Sequence, residues 1–195
     1  YDKALEGYDK ALEGYDKALE WYDKALEIYE KVLGSNHPDT ATTYNNIAGV
    51  YYSKGIYEKA LEWYEKALEI NEKVLGSNHP DTATTYNNIA LVYKSKGIYD
   101  KALEWYEKAL EIYEKILGSN HPSTATTYNN IAWVYKEQKF CTKALEFFNK
   151  ALNVYSQTDY GQDTLLEIKR AIKEIEKSQK MEKKANFKDR GRFCK

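Results

Sequence analysis

Residues 35–76 read SNHPDTATTYNNIAGVYYSKGIYEKALEWYEKALEINEKVLG, and residues 77–118 repeat them with five differences: Gly49/Leu91, Tyr52/Lys94, Glu58/Asp100, Asn71/Tyr113 and Val74/Ile116. A third, more divergent copy runs from Ser119 to about Tyr155, so His37, His79 and His121 recur every 42 residues. A period of this size governs every local reading, because a unit too small to bury its own apolar face must stack on its neighbours.

Each unit divides into two amphipathic helices. In TATTYNNIAGVYYSK, residues Tyr44, Ile47, Ala48, Val50 and Tyr51 form one broad stripe; this is helix A. Gly55 interrupts the pattern, which resumes from Ile56 to Leu75 through Tyr57, Ala60, Leu61, Tyr64, Ala67 and Leu68 as helix B. Glu62/Lys66 and Glu69/Lys73 are spaced for pairs on a solvated face. Leu75-Gly76 is a helix stop, and Ser77-Asn78-His79-Pro80 leads into the next start: Pro80 suits the first turn, Asp81 faces the positive helix end, and Thr82 or the preceding polar residues cap the free N–H groups. The His-Pro-Asp-Thr cluster therefore reads as turn chemistry. Three histidines separated by two helices each lie too far apart along a stack for one metal site.

The side-chain order Tyr44-x2-Ile47-Ala48-x2-Tyr51, then Gly55-x-Tyr57-x2-Ala60-x3-Tyr64-x2-Ala67, resembles the tetratricopeptide pattern. The 42-residue period, ATTYNNIA and ALEIxEKVLGSNHPDTA narrow the resemblance to the repeat domain of kinesin light chains, over roughly residues 15–155. The resemblance implies an all-α tetratricopeptide (TPR) superhelical solenoid of antiparallel helix pairs, with a concave groove that binds extended peptides of cargo or adaptor proteins, including acidic segments with a tryptophan. Helix A is expected to line that groove through Thr42, Asn45, Gly49 and Tyr52; Thr84, Asn87, Leu91 and Lys94; and Thr126, Asn129, Trp133 and Lys136. Asn45, Asn87 and Asn129 carry amides that can hold a peptide backbone or tie neighbouring helices; both readings stay open. Lys94 and Lys136 suit acidic side chains, and Tyr52 or Trp133 an apolar anchor. Two of the five differences, Gly49/Leu91 and Tyr52/Lys94, fall on this face.

The two ends are less regular. YDKALEG at Tyr1 and Tyr8, YDKALEW at Tyr15 and YDKALEI at Tyr22 form heptads that match helix B, without a helix A before them. Such a helix exposes an apolar stripe, so Tyr1, Leu5, Tyr8 and Leu12 are candidate residues for a homo-oligomer; a longer array is the alternative. Kinesin light chains join a kinesin heavy chain through a heptad region, but these heptads look copied from the repeat, and that role is not carried over. From Asp163 to about Lys184, the stripe Leu165, Leu166, Ile168, Ala171, Ile172 and Ile175 reads as a C-terminal capping helix, with Thr164 and Glu167 at capping-box spacing. Residues 177–195 carry a net charge of +6, either a solvated tail or a patch for tubulin, nucleic acid or acidic lipid. The expected organisation is thus a heptad helix (1–34), three repeat units (35–76, 77–118, 119–158), a capping helix (159–184) and a basic tail (185–195).

A formal net charge of -1 over 195 residues gives the chain no bulk preference for nucleic acid or membranes, and the apolar runs are too short for a span. Cys141 and Cys194 lack CxxC spacing and no glycosylation sequon occurs, which points to the cytoplasm. The 19 tyrosines and Trp21, Trp63 and Trp105 recur at helical spacing and read as packing; Cys141 stands where Tyr57 and Tyr99 do and reads as a buried small hydrophobe. No catalytic constellation, cofactor loop or small-molecule site is expected.

Overall fold

In a computed structural model, backbone is described for residues 2–158 and 161–192, and side chains for residues 7, 9–158 and 161–181. All described secondary structure is helical: α1 (Asp2–Val32), α2 (Pro38–Ser53), α3 (Tyr57–Val74), α4 (Pro80–Ser95), α5 (Tyr99–Ile116), α6 (Pro122–Glu137), α7 (Cys141–Tyr155) and α8 (Gln162–Arg192). Two compact units divide the chain, Tyr1–Ile116 and Leu117–Lys195. In the first, α2 and α3 pair closely, as do α4 and α5, while α1 packs on α2 and α3 on α4; in the second, α6 pairs with α7 and α7 carries α8. This is the all-α solenoid of antiparallel helix pairs, with a long first helix and a closing last one.

Alanine makes the close approaches possible. Ala48, Ala60, Ala67, Ala90, Ala102 and Ala109 are fully buried, as are Ala132, Ala144 and Ala151, so backbones meet where a larger side chain would hold them apart. Aromatic rings fill the remaining space: Tyr44 lies 5.3 Å from Trp63, and Tyr86 lies 5.4 Å from Trp105. Lys66 and Lys108 sit over those two indoles at 4.1 and 4.3 Å, covering their outer faces. Packing does not hold for Trp21, which is 70% exposed: among the described residues no helix pairs with α1 as α2 pairs with α3. Cys141, too, is half-buried rather than enclosed.

The opening stretch forms three equivalent junctions. Gly34, Gly76 and Gly118 take positive φ of 91°, 91° and 87°, which lets the chain leave helix B, or α1, in a left-handed turn. His37, His79 and His121 then cap the following helix: Nδ1 accepts the N–H of Asp39, Asp81 and Ser123 at 3.2, 3.1 and 3.1 Å. The histidine is the cap, not the threonine. Thr40, Thr82 and Thr124 are fully buried and instead donate back to the carbonyls of Gly34, Gly76 and Gly118 at 3.1, 2.8 and 2.8 Å.

At the other end, Thr164 lies inside the first turn of α8, which starts at Gln162 with Leu165 N–H bonded to Gly161 O. The Thr164/Glu167 pair therefore does not cap the helix. Leu165, Ile168, Ala171 and Ile175 are buried, Ile172 is half-buried, and Leu166 points outward at 50% exposure. The helix continues past Lys184 to Arg192, into the basic segment. Tyr1 lies outside the described residues, as do the side chains of Leu5 and Tyr8 and of the basic segment from Glu182 onward; Leu12 is half-buried.

Candidate functional site

The first helix of each pair presents the same face three times, and its polar groups divide by what already holds them. Thr42 donates to Pro38 O (3.1 Å) and is exposed. Thr84 donates likewise to Pro80 O (3.1 Å), and its hydroxyl also meets the Tyr113 hydroxyl at 2.8 Å. Thr126 repeats this with Pro122 O (3.0 Å) and Tyr155 (3.1 Å). The first unit lacks the tyrosine because Asn71 stands there, 3% exposed, and its amide donates to Thr85 Oγ1 at 3.2 Å. The smaller side chain leaves a polar cavity of about 240 Å³ lined by Thr42, Asn45, Asn46, Thr84 and Asn88 above Asn71.

Asn45 belongs to the tie between helices. Its Nδ2 donates to Ala41 O (3.3 Å) and to Thr85 Oγ1 (3.1 Å), and Thr85 is placed to donate back to Oδ1 at 3.3 Å, so the amide joins α2 to α4. Asn87 and Lys94 are half-buried and each is engaged with a neighbour. Asn129 differs: its Oδ1 is buried without a hydrogen-bond partner among the described residues.

Beneath this face lies a floor that sequence reading treated only as packing. A Cβ added at Gly49 would stand 3.8 Å from the Tyr64 hydroxyl, so this residue of helix A looks straight onto helix B. Fifteen positions also separate Leu91 from Tyr106 and Trp133 from Phe148; that recurring offset was the available signal. Burial, reinforced by the Tyr52 hydroxyl, pushes the Tyr64 phenol up to about 12. Tyr106 is fully buried, its hydroxyl lacks a partner among the described residues, and burial pushes its phenol higher still. Trp133 meets Phe148 edge-on at 5.4 Å, a contact that leaves no hydroxyl to satisfy.

Tyr52 shares a 2.9 Å hydrogen bond with Ser95 and is half-buried. Lys136 lies 4.6 Å over Trp133 and pairs with Glu174 of α8 at 2.9 Å, a hydrogen bond that holds the Glu174 carboxyl below its ordinary range. Trp133 and Lys136 line a cavity of about 340 Å³ with Glu167, Arg170, Ala171 and Glu174. Those α8 residues were not expected at the site, since a capping helix reads from sequence only as a cover. Across the three units the face changes from small and aromatic (Gly49, Tyr52) to aliphatic and basic (Leu91, Lys94) to aromatic and basic (Trp133, Lys136), over a nearly constant floor.

The tetratricopeptide repeat profile matches residues 9–70, 42–115 and 85–157. Among solved structures, BtubC (BKLC) from P. vanneervenii superposes with a TM-score of 0.77 at 25% identity, covering 87% of this chain and 68% of that one. The nearly identical TPR-like repeats of a Podosopora anserina protein, provisionally assigned as a kinesin light chain, give 0.69 at 22% identity, with 94% and 87% covered. The N-terminal domain of stress-induced protein-1 from C. elegans gives 0.54 at 22%, with 71% and 96% covered. No curated protein matches the chain. Among the described residues, no helix is long and apolar enough to cross a membrane.

Proposed function

The chain belongs to the tetratricopeptide repeat family, whose arrays are scaffolds for protein interaction, and from that premise we propose that its helix-A face holds extended peptide segments of partner proteins, as a non-enzymatic adaptor of the kinesin light chain-like kind. One observation carries this reading: the nearly identical repeats 35–76 and 77–118 change residue type where helix A lies over a like floor, at Gly49/Leu91 and Tyr52/Lys94, and the more divergent third repeat places Trp133 and Lys136 there. A duplicated scaffold with altered surface chemistry fits subsites of unlike preference for partner side chains. Lys94 and Lys136 favour carboxylates there, and Trp133 supplies an apolar contact. Thr42, Thr84 and Thr126 already donate their hydroxyls to the carbonyl one turn back on their own helix, so in this reading they contribute shape rather than a hydrogen-bond donor. Fluorescence polarisation of a labelled acidic, tryptophan-containing peptide tests the proposal. Saturable binding that Asn87→Leu/Lys94→Glu abolishes is expected; no binding by the unaltered protein refutes it.

A second reading concerns α1 and is favoured by its exposed stripe. Trp21, Ile28, Val32 and Leu33 are 70%, 59%, 71% and 40% exposed, more apolar surface than a lone helix face keeps in water. We assign this stripe to a second copy of the chain, packed α1 against α1. Light scattering is expected to show a dimer that Trp21→Glu/Ile28→Glu converts to a monomer; a monomeric unaltered protein refutes it.

A further inference from the structure

Of the five differences between the first two repeats, Asn71/Tyr113 opens a cavity. Tyr113 and Tyr155 are 4% and 2% exposed, and their hydroxyls meet those of Thr84 and Thr126 at 2.8 and 3.1 Å. Each threonine has already given its single proton to a proline carbonyl, so the phenol is the donor in that contact. Thr42 gives its proton to Pro38 O in the same way, but Asn71 brings no phenol to it. The Thr42 oxygen is thus an acceptor that has lost the donor of the other repeats.

Asn71 adds a second acceptor. Its side chain is 3% exposed and its Nδ2 is committed to Thr85 Oγ1 at 3.2 Å. Thr85 Oγ1 also receives Asn45 Nδ2 and gives its own proton to Asn45 Oδ1 or Asp81 O, so Asn71 turns its nitrogen toward Thr85. The Asn71 carbonyl oxygen is left on the cavity side, without a hydrogen bond among the described residues, a cost that a bound donor removes. Asp81 supplies charge. Its carboxylate lines the cavity and is 70% exposed; His79 Nδ1, 3.6 Å away, accepts the Asp81 N–H and so carries no proton there. Among the described residues that line the cavity there is no Lys, Arg or His. The positive ends of α2 and α4 point here, but Asp39 and Asp81 stand in those first turns, and Asn71 lies in the last turn of α3, at its carbonyl end. The two features travel together along the sequence: the second repeat has Tyr113 for Asn71, and the third, which follows it, has Ser123 for Asp81.

We propose that this cavity seats an arginine side chain of the partner segment, an inference that rests on the helix-A face being a peptide groove and gives that groove a subsite of opposite charge preference to Lys94. A guanidinium is flat like the missing ring, carries donors only and stays charged. It donates to Thr42 Oγ1 and Asn71 Oδ1, with Asp81 as its counter-charge and the Asn46 and Asn88 amides at its sides. The volume of about 240 Å³ is below that of pockets for drug-sized ligands and suits the end of one side chain. Lys94 lies thirteen residues along α4 from Asp81, about 20 Å at the helical rise. An extended segment spans that distance in about six residues, so basic and acidic parts of one segment bind at opposite ends of α4 and set its direction.

The first arm of the test needs no peptide: N-acetyl-arginine amide is titrated into the isotope-labelled full chain and followed through the side-chain amide resonances. Saturable shifts of Asn46, Asn71 and Asn88 are expected, at least tenfold weaker with N-acetyl-citrulline amide, which keeps the shape and lacks the charge. Asn71→Tyr and Asp81→Ser each install the residue of a sister repeat and keep the fold; the first is expected to abolish the shifts and the second to weaken binding several-fold. Shifts that survive Asn71→Tyr, that citrulline equals or that never saturate overturn the proposal. The second arm compares the acidic, tryptophan-containing peptide with versions carrying one arginine about six residues before or after its acidic stretch. One of the two is expected to bind at least threefold tighter than the parent, and Asn71→Tyr to erase that gain. Parent binding with no gain from either arginine overturns the subsite and leaves the groove standing. If no peptide binds, the groove reading falls, and the arginine amide titration decides the cavity by itself.

Discussion

Helices α1 and α3 share almost the same sequence, YDKALEWYDKALEIYEKVLG from Tyr15 against YEKALEWYEKALEINEKVLG from Tyr57, yet they meet water differently. Ile28 is 59% exposed while its counterpart Ile70 is 5% exposed, and Tyr29 is 37% exposed while Asn71 is 3% exposed. The residues are not what differs; the neighbour is. Ile70 and Ala67 pack on Ala41 of the α2 that precedes α3, and among the described residues no element takes that place for α1. Burial in a repeat protein is thus a property of the pair of helices, and sequence identity between two segments predicts equal structure only where the partner segment is repeated too.

The sharpest way to break this comparison is to truncate the same residue in both helices. Ile70→Ala is expected to destabilise the protein by about 2–5 kcal/mol through a lost contact and a cavity, and Ile28→Ala by less than about 0.5 kcal/mol, both read from urea unfolding at a protein concentration low enough to keep the chain monomeric. Equal losses would mean that α1 is covered in solution. Alkaline titration extends the contrast to the floor of the repeats. Tyr64 and Tyr106 keep their protons in the native chain well above the ordinary value of 10, whereas the unfolded chain releases them near 10. The native state then holds more protons than the unfolded one, so stability is full below pH 10 and falls as pH rises from there toward 12. Tyr64→Phe/Tyr106→Phe is expected to flatten that fall in thermal unfolding followed across the range.

Two smaller effects sharpen it further. Tyr106→Phe removes a buried hydroxyl that has no partner and makes the second unit like the third, where Phe148 already stands; a gain of about 1 kcal/mol is expected. Lys139 takes a φ of 63° where Gly55 and Gly97 take 73° and 74°. Lys139→Gly relieves that left-handed lysine and is expected to gain up to about 1 kcal/mol in the same measurement, offset in part by the added freedom of the unfolded chain.

The period, the two helices per unit and the turn positions were legible because glycine, proline and the apolar stripes mark them directly. The bare stripe of α1 was legible for the same reason, as a helix B without its partner. Other features needed coordinates. His79 and Thr82 are both reasonable caps by chemistry, and only the path of the junction shows that the threonine turns back to Gly76 while the histidine faces Asp81 N–H. Thr164 has capping-box spacing, but the start of α8 two residues earlier carries it into the helix. Asn45 was open between two roles until Thr85 was seen opposite it, 40 positions away. The cavity at Asn71 arises from a ring that is absent, and an absence has volume only once its surroundings are in place.

The junctions bear on how such a chain changes over generations. Each is closed by residues that recur at all three: the glycine carbonyl that ends one unit receives the threonine hydroxyl of the next and, at 3.3, 3.2 and 3.3 Å, its histidine N–H. What each bond asks of the unit before is a backbone carbonyl on the glycine that follows α1, α3 and α5. A 42-residue cassette that brings its own hinge can be copied or deleted in tandem and still join correctly on both sides, so length is free to vary by whole units. The two half-buried positions over the floor are where the copies already differ, Gly49 against Leu91 and Tyr52 against Lys94.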